Sequence, residues 1–177
     1  MPILDRERSA LLVIDFQRRL MPAIHEGERA LANAGRLVDV AAMLGVPVLA
    51  TEQNPAGLGG TVPELGEATA GAFAKMTFDA GGTAGFADRL PEGRDLVVTG
   101  CEAHVCVLQT VLGLREAGRS VYVVADAIGS RAPANKDLAL ERMRRHGAEI
   151  VSTEMVVFEW LRTAAHPRFR EAVARIK

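Results

Sequence analysis

Short segments that are apolar at nearly every position recur along the chain, and each ends in polar residues or glycine. The clearest are residues 9–16, residues 46–51, the run that begins at Asp95, and residues 120–125. A short segment of this kind is typical of a parallel strand that is covered on both faces. Two shorter segments, residues 72–78 and 149–151, are expected to add further strands.

Between these segments, apolar residues repeat at helical spacing. In residues 28–44, Leu37, Ala41 and Leu44 fall on one face, and Gly45 follows as a residue suited to the left-handed turn after a helix. Further helices are expected at residues 86–90, from Ala103 to near Gly118, and at residues 135–146, 153–161 and 167–176. Strands that alternate with helices predict an α/β fold with a parallel sheet, in a single domain over residues 1–177.

Two side chains stand out because each directly follows a predicted strand. Asp15 ends the first apolar segment, and Cys106 lies where the strand from Asp95 gives way to a helix. Ligands of such sheets bind beyond the carboxyl ends of the strands, where the strand order reverses. A helix start also lowers the pKa of a thiol, so we expect Cys106 to react with iodoacetamide at lower pH than free cysteine does. The alternative is that Cys106 is a small buried apolar residue.

Composition and charge argue against several classes of function. The chain has 177 residues and a formal net charge of −1, with acidic and basic residues interspersed, which argues against a nucleic-acid or membrane-surface partner. No signal peptide is evident, and two cysteines without one indicate free thiols in the cytoplasm. The glycine-rich residues 55–71 are expected to form a long loop, and their spacing matches no dinucleotide or phosphate motif, so we expect no cofactor.

Four short motifs together resemble the isochorismatase-like (cysteine) hydrolase family, and within it the isochorismatase domain-containing branch. They are VIDFQ at residues 13–17, FAKMTF at 73–78, GCEAHVCV at 100–107 and ADAIGSR at 125–131. The resemblance extends from Leu11 to Trp160. It implies a three-layer α-β-α, Rossmann-like fold with a six-stranded parallel sheet in the order 3-2-1-4-5-6. It also implies a homo-oligomer, either a dimer or a tetramer.

The same resemblance implies a catalytic triad of Asp15, Lys75 and Cys106. It further implies a cis peptide bond between Cys101 and Glu102, and an oxyanion hole formed by the backbone N–H groups of Glu102 and Cys106. Taken from the residues alone, an aspartate at a strand end such as Asp15 is more often a turn or cap residue, and a lone lysine such as Lys75 is usually a solvated side chain.

The chemistry expected from this set is hydrolysis of a small amide-like substrate through a thioester. Cys106 attacks the carbonyl carbon, Asp15 transfers protons, and Lys75 keeps Asp15 ionised and oriented. Alternatives are an isochorismate-type vinyl-ether hydrolase, a non-catalytic binding protein that retains the fold, and a thiol redox protein. Convergence of the three side chains on one enclosed crevice would separate an enzyme from a scaffold.

The remaining site candidates are assigned more loosely. Phe16, Gln17, Gln53 and His104 are expected to line the substrate site, although the two glutamines could equally be solvent-facing loop residues. His104 could be a pocket-wall or an interface residue, and Cys101 is expected to be structural. No metal is expected, because Cys101, His104 and Cys106 lack suitable spacing and a fourth ligand. The histidines that bind metal in nicotinamidases have no counterpart between His25 and His104.

Overall fold

The computed structural model describes residues 3–177, in which six parallel strands form one sheet in the order β3-β2-β1-β4-β5-β6. The strands are β1 (Ser9–Ile14), β2 (Val48–Gln53), β3 (Phe73–Lys75), β4 (Asp95–Cys101), β5 (Val121–Gly129) and β6 (Glu149–Val151). The α/β class predicted from the apolar pattern and the strand order implied by the resemblance are both confirmed.

Helices cover both faces of the sheet. They are α1 (Gly27–Leu44), α2 (Pro55–Leu58), α3 (Leu108–Glu116), α4 (Pro133–Arg145), α5 (Thr153–Leu161) and α6 (Phe169–Ile176). Helices α1, α5 and α6 pack together on one face, and α3 and α4 pack on the other. Among residues 3–177, no helix has both the length and the apolar composition that crossing a membrane requires.

The central strand β1 shows why its segment is apolar throughout. All six of its residues are buried. Leu11 and Val13 point into the core on the α1 side, whereas Ala10, Leu12 and Ile14 point into the core on the α3 side. Because side chains alternate along a strand, a sheet covered on both faces requires apolar residues at successive positions.

Several element boundaries differ from the expected ones. Strand β5 runs on to Gly129 because, beyond a register shift, Ile128 and Gly129 pair with the end of β4. Helix α4 begins at Pro133, a residue suited to a first helical turn, whereas α6 begins only at Phe169, after Pro167. The expected long loop at residues 55–71 contains α2 and two short 3₁₀ turns, Pro63–Leu65 and Glu67–Thr69.

The strand order reverses between β1 and β4, which lie side by side. Ile14 is paired with Gly100, one residue before β4 ends. Gly100 has a φ of +153°, and a Cβ at this position would lie 2.4 Å from the carbonyl oxygen of Ile14. Glycine is therefore required at this position. The close approach of the two strand ends brings the segment after β1 and the segment after β4 to one edge of the sheet.

Candidate active site

Asp15 turns sharply out of β1 and into the interior. Its φ is +53°, a left-handed conformation that costs of order 1–3 kcal/mol in a residue other than glycine and is concentrated at functional sites. Its N–H donates to the carbonyl oxygen of Thr51 at 3.1 Å, and its Oδ1 accepts from the Thr51 hydroxyl at 2.7 Å. Asp15 is fully buried, so Thr51 fixes both its backbone and its carboxylate.

Lys75, the last residue of β3, reaches Asp15 from two strands away. Neighbouring strands are about 4.8 Å apart, so the long lysine side chain extends across β2 to reach the end of β1. Its Nζ donates to Oδ2 of Asp15 at 2.7 Å and to the carbonyl oxygen of Thr77 at 3.2 Å. The side chains of Lys75 and Asp15 are both fully buried. The structure therefore contains a buried ion pair where the residue pattern alone allowed a solvated lysine.

Cys106 lies in a π-helical turn, Ala103–Val107, between β4 and α3. It exposes 6% of its surface. Burial, followed by the charge of Asp15, raises the pKa of its thiol to about 12, and the charge of Lys75 only partly opposes this. The expectation that a helix start would lower this pKa is wrong, because desolvation and a neighbouring carboxylate outweigh the helix dipole. At neutral pH the thiol is protonated, and any reaction as a nucleophile requires a base.

Glu102 connects the end of β4 to the turn that holds Cys106. The Cys101–Glu102 peptide bond is cis, at the position that the resemblance implied. The carbonyl oxygen of Glu102 accepts from the N–H groups of Val105 at 3.0 Å and Val107 at 3.2 Å. Its carboxylate Oε2 accepts from Arg131 twice, from Nε at 2.8 Å and from the backbone N–H at 3.1 Å. Both the backbone and the side chain of Glu102 are thereby held in place.

His104 faces the loop after β5. Its Nδ1 lies 3.0 Å from the Ser130 hydroxyl, and its Nε2 lies 3.4 Å from the side-chain nitrogen of Asn135. Ser130 in turn accepts at its carbonyl oxygen from the N–H of His25 at 3.0 Å. His104 is half-buried, and both of its ring nitrogens have a protein neighbour, which indicates that it links the Cys106 turn to the start of α4.

The other expected substrate-lining residues have structural contacts. Phe16 is fully buried in the core on the α1 side. The side-chain amide nitrogen of Gln17 donates to the carbonyl oxygens of Gln53 at 3.0 Å and Gly59 at 2.6 Å, and its oxygen accepts from the N–H of Gln53 at 2.9 Å. Gln17 therefore ties β2 to the following loop. The half-buried Gln53 donates from its side chain to the carbonyl oxygen of Met76 at 3.2 Å.

Sequence reasoning missed three contributors to this site. Thr51 ends one expected strand and Asp15 follows another. If these two strands had been assumed to be neighbours, the contact between the two residues could have been predicted. The Thr77 carbonyl gave no such signal, and Arg131 was noted only as the end of the ADAIGSR motif, because their contacts depend on where the ends of β3 and β5 lie in space. Among residues 3–177, no group of three or more His, Cys, Asp or Glu side chains is arranged to hold a metal ion.

Comparison with known proteins gives a consistent result across sequence and structure. The family profile described as "Isochorismatase domain" matches residues 9–155. Isochorismatase domain-containing protein 2A of Mus musculus is 36% identical over 172 residues, which are 97% of this chain and 84% of that protein.

Two solved structures extend the comparison. The MAR1 ribonuclease of Caenorhabditis elegans superposes with a TM-score of 0.92 at 34% identity, covering 98% of this chain and 92% of that one. The YcaC gene product of Escherichia coli, described as an octameric hydrolase of unknown specificity, superposes with a TM-score of 0.87 at 27% identity. That match covers 99% of this chain and 88% of the E. coli chain.

Proposed function

The chain belongs to the isochorismatase family, and from this premise we propose that it is a cysteine hydrolase that cleaves a small amide-like C–N bond through a thioester on Cys106. The observation that carries the proposal is the fully buried Asp15–Lys75 ion pair beside a buried thiol. A buried ion pair stabilises a fold little more than apolar packing would, so its presence beside a potential nucleophile favours a catalytic role.

In the proposed reaction, the thiol proton of Cys106 moves to the Asp15 carboxylate as the sulfur bonds to the substrate carbonyl carbon. Asp15 then gives this proton to the leaving nitrogen as the C–N bond breaks, and an amine departs. Water attacks the resulting thioester, Asp15 accepts its proton, and the acid is released while Cys106 is protonated again. Because the resting thiol has a raised pKa, transfer of its proton to Asp15 is coupled to the attack rather than completed beforehand.

The negative charge that develops on the substrate oxygen needs hydrogen-bond donors. We assign this role to the backbone N–H groups of Glu102 and Cys106, which complete the site proposed for acyl transfer. Lys75 and Thr51 act through Asp15, because each donates to a different oxygen of its carboxylate. These two contacts fix the direction of the carboxylate.

Two other reactions, isochorismate cleavage and RNA cleavage, are less well supported and are included in the test. Isochorismate cleavage breaks a vinyl ether and does not need a nucleophilic thiol, so an intact Cys106 favours acyl hydrolysis over it. The C. elegans relative is described as a ribonuclease. RNA cleavage requires cations that bind phosphate, whereas Lys75 is buried and already paired with Asp15. A net charge of −1 also disfavours RNA binding.

The test is a panel of small aliphatic amides, 4-nitrophenyl acetate, isochorismate and a single-stranded RNA oligonucleotide. After rapid acid quenching of the 4-nitrophenyl acetate reaction, mass spectrometry of peptides should find an acyl group on Cys106. Cys101 is the internal control, because it is also a free, buried cysteine and should stay unmodified. An acyl group on Cys101 instead, or isochorismate or RNA turnover with no acylation of Cys106, would contradict the proposal.

We also propose that the protein is a homo-oligomer. The E. coli relative is described as octameric. In this chain Met76 is 71% exposed and Phe78 is 46% exposed, on either side of the Thr77 carbonyl that binds Lys75. Contiguous exposed apolar surface marks interaction sites, and we assign Met76 and Phe78 to a contact between subunits. Light scattering should give a multimer, and Met76→Asp should reduce its size, whereas a monomeric wild-type protein would refute this assignment.

A further inference from the structure

Arg131 is placed to control the residue that supplies one of the proposed oxyanion donors. It lies in the loop between β5 and α4, whereas Glu102 lies between β4 and the Cys106 turn. Nε of Arg131 is 2.8 Å from Oε2 of Glu102, and the Arg131 backbone N–H donates to the same oxygen at 3.1 Å. The Glu102 side chain is 9% exposed and that of Arg131 is 61% exposed. An exposed surface side chain thus binds an almost buried carboxylate.

Glu102 has a second anchor besides its carboxylate, formed by its backbone carbonyl. Its carbonyl oxygen accepts from the N–H groups of Val105 and Val107, which flank Cys106 in the chain. The carbonyl is therefore fixed to the Cys106 turn, and the carboxylate is fixed to the loop after β5. With both ends fixed, the Glu102 N–H has little freedom to rotate. A donor contributes fully to an oxyanion hole only when its direction is set before the reaction.

We propose that Arg131 is a positioning residue that, by holding the Glu102 carboxylate, aims the Glu102 N–H at the substrate oxygen. This inference rests on the function proposed above. A positioning role and a purely structural role for Arg131 predict different effects of its loss. The Arg131 side chain is 61% exposed, and its backbone N–H still donates to the Glu102 carboxylate when the side chain is shortened, so Arg131→Gln should change turnover far more than thermal stability.

The test compares two reactions of the same sulfur in Arg131→Gln and in wild type. Hydrolysis of 4-nitrophenyl acetate develops an oxyanion, whereas alkylation of Cys106 by iodoacetamide displaces iodide from a saturated carbon and develops none. We expect Arg131→Gln to lower kcat about tenfold, less than the 10²–10³-fold that follows complete loss of a donor. We expect KM and the alkylation rate to stay within about twofold of wild type.

Two further variants sharpen the test. Glu102→Gln should also lower kcat, but it removes a charge that raises the pKa of Cys106, so its alkylation rate should not fall. Combining it with Arg131→Gln should lower kcat no further than the worse single variant, because both changes break the same contact. Arg168→Gln is the matched control. It breaks another surface Arg–Glu pair with the same 2.8 Å distance and 57% exposure of the arginine, at the start of α6, and should leave kcat unchanged.

Each result leads to a decision. If Arg131→Gln keeps the wild-type kcat, or if kcat and alkylation fall together, the positioning role is wrong while the hydrolase can stand. If wild type itself forms no acyl group on Cys106, the proposed function fails and the positioning role fails with it. Thermal melts of every variant check folding, and if Arg131→Gln does not fold, Glu102→Gln decides by the same comparison.

Discussion

Cys101 and Cys106 lie five positions apart and are both buried, yet the groups around their sulfur atoms differ. Burial raises the pKa of each thiol to about 12. Cys101 is fully buried in the core on the α1 side, where a backbone hydrogen bond at Gly129 lowers its pKa and the charges of Glu102 and Asp15 raise it. Cys106 is buried on the α3 side, where the charges of Asp15 and Lys75 are the strongest influences after burial.

The comparison shows that a low resting pKa is not what distinguishes the proposed nucleophile. Both thiols are protonated and weakly reactive at neutral pH, because the interior disfavours a thiolate. Only Cys106 has a side-chain hydrogen bond with Asp15, whose carboxylate is buried, paired with Lys75 and so oriented to accept a proton during the reaction. Asp15 acts on Cys101 through its charge alone. The reactivity we propose therefore comes from the neighbours of the sulfur and not from its exposure.

The largest expected difference between the two cysteines is in turnover. Cys106→Ala should lower hydrolysis of 4-nitrophenyl acetate by on the order of 10³-fold or more, because no thioester can form. Cys101→Ala should retain most of the wild-type rate. The measurement is kcat for both variants under identical conditions. Equal losses in the two would mean that the assay reports folding and not catalysis, and undiminished turnover in Cys106→Ala would remove the mechanism.

The ion pair beside Cys106 should be the next most sensitive feature. Asp15→Asn removes the base and should lower kcat by about 10²–10⁴-fold. Lys75→Met leaves the Asp15 charge buried without its partner, and should cost about 3–5 kcal/mol in the free energy of unfolding. Urea unfolding of both single variants and of the double variant measures this coupling. The double variant should be more stable than Lys75→Met, and simple additivity of the two losses would show that the pair is not coupled.

How much of this site could be foreseen depends on how local each signal is. Asp15 and Cys106 were found from apolar runs that end in a polar residue, and the pairing of Ile14 with Gly100 confirms that their strands are neighbours. Lys75 was indicated only by the resemblance. Its side chain reaches Asp15 because β3 lies two strands from β1, and that order is not encoded near residue 75.

The features that were predicted wrongly or missed also depend on the three-dimensional surroundings of the residues. Apolar spacing after Ala103 predicts a helix but does not distinguish an α-helical from a π-helical first turn, so the setting of Cys106 was only approximately foreseen. The helix-start argument for a lowered thiol pKa counted the dipole but could not count burial or the Asp15 charge. Arg131 meets Glu102 because β5 continues past its expected end through a register shift, which residues 120–125 do not reveal.

The smallest effect we predict is the same for the two cysteines. It tests whether burial raises the pKa of both thiols. A thiol whose pKa is about 12 when folded and near 9 when unfolded keeps its proton in the folded state while the unfolded state loses it. Stability is therefore unaffected below about pH 9 and falls above it, by about 1.4 kcal/mol per pH unit for each cysteine. Cys101→Ala and Cys106→Ala should each make the decline between pH 9 and 10.5 shallower by that amount, measured by urea unfolding in a reducing buffer. If only Cys101→Ala did so, the resting Cys106 thiol would not have a raised pKa, and a preformed thiolate would replace proton transfer coupled to attack.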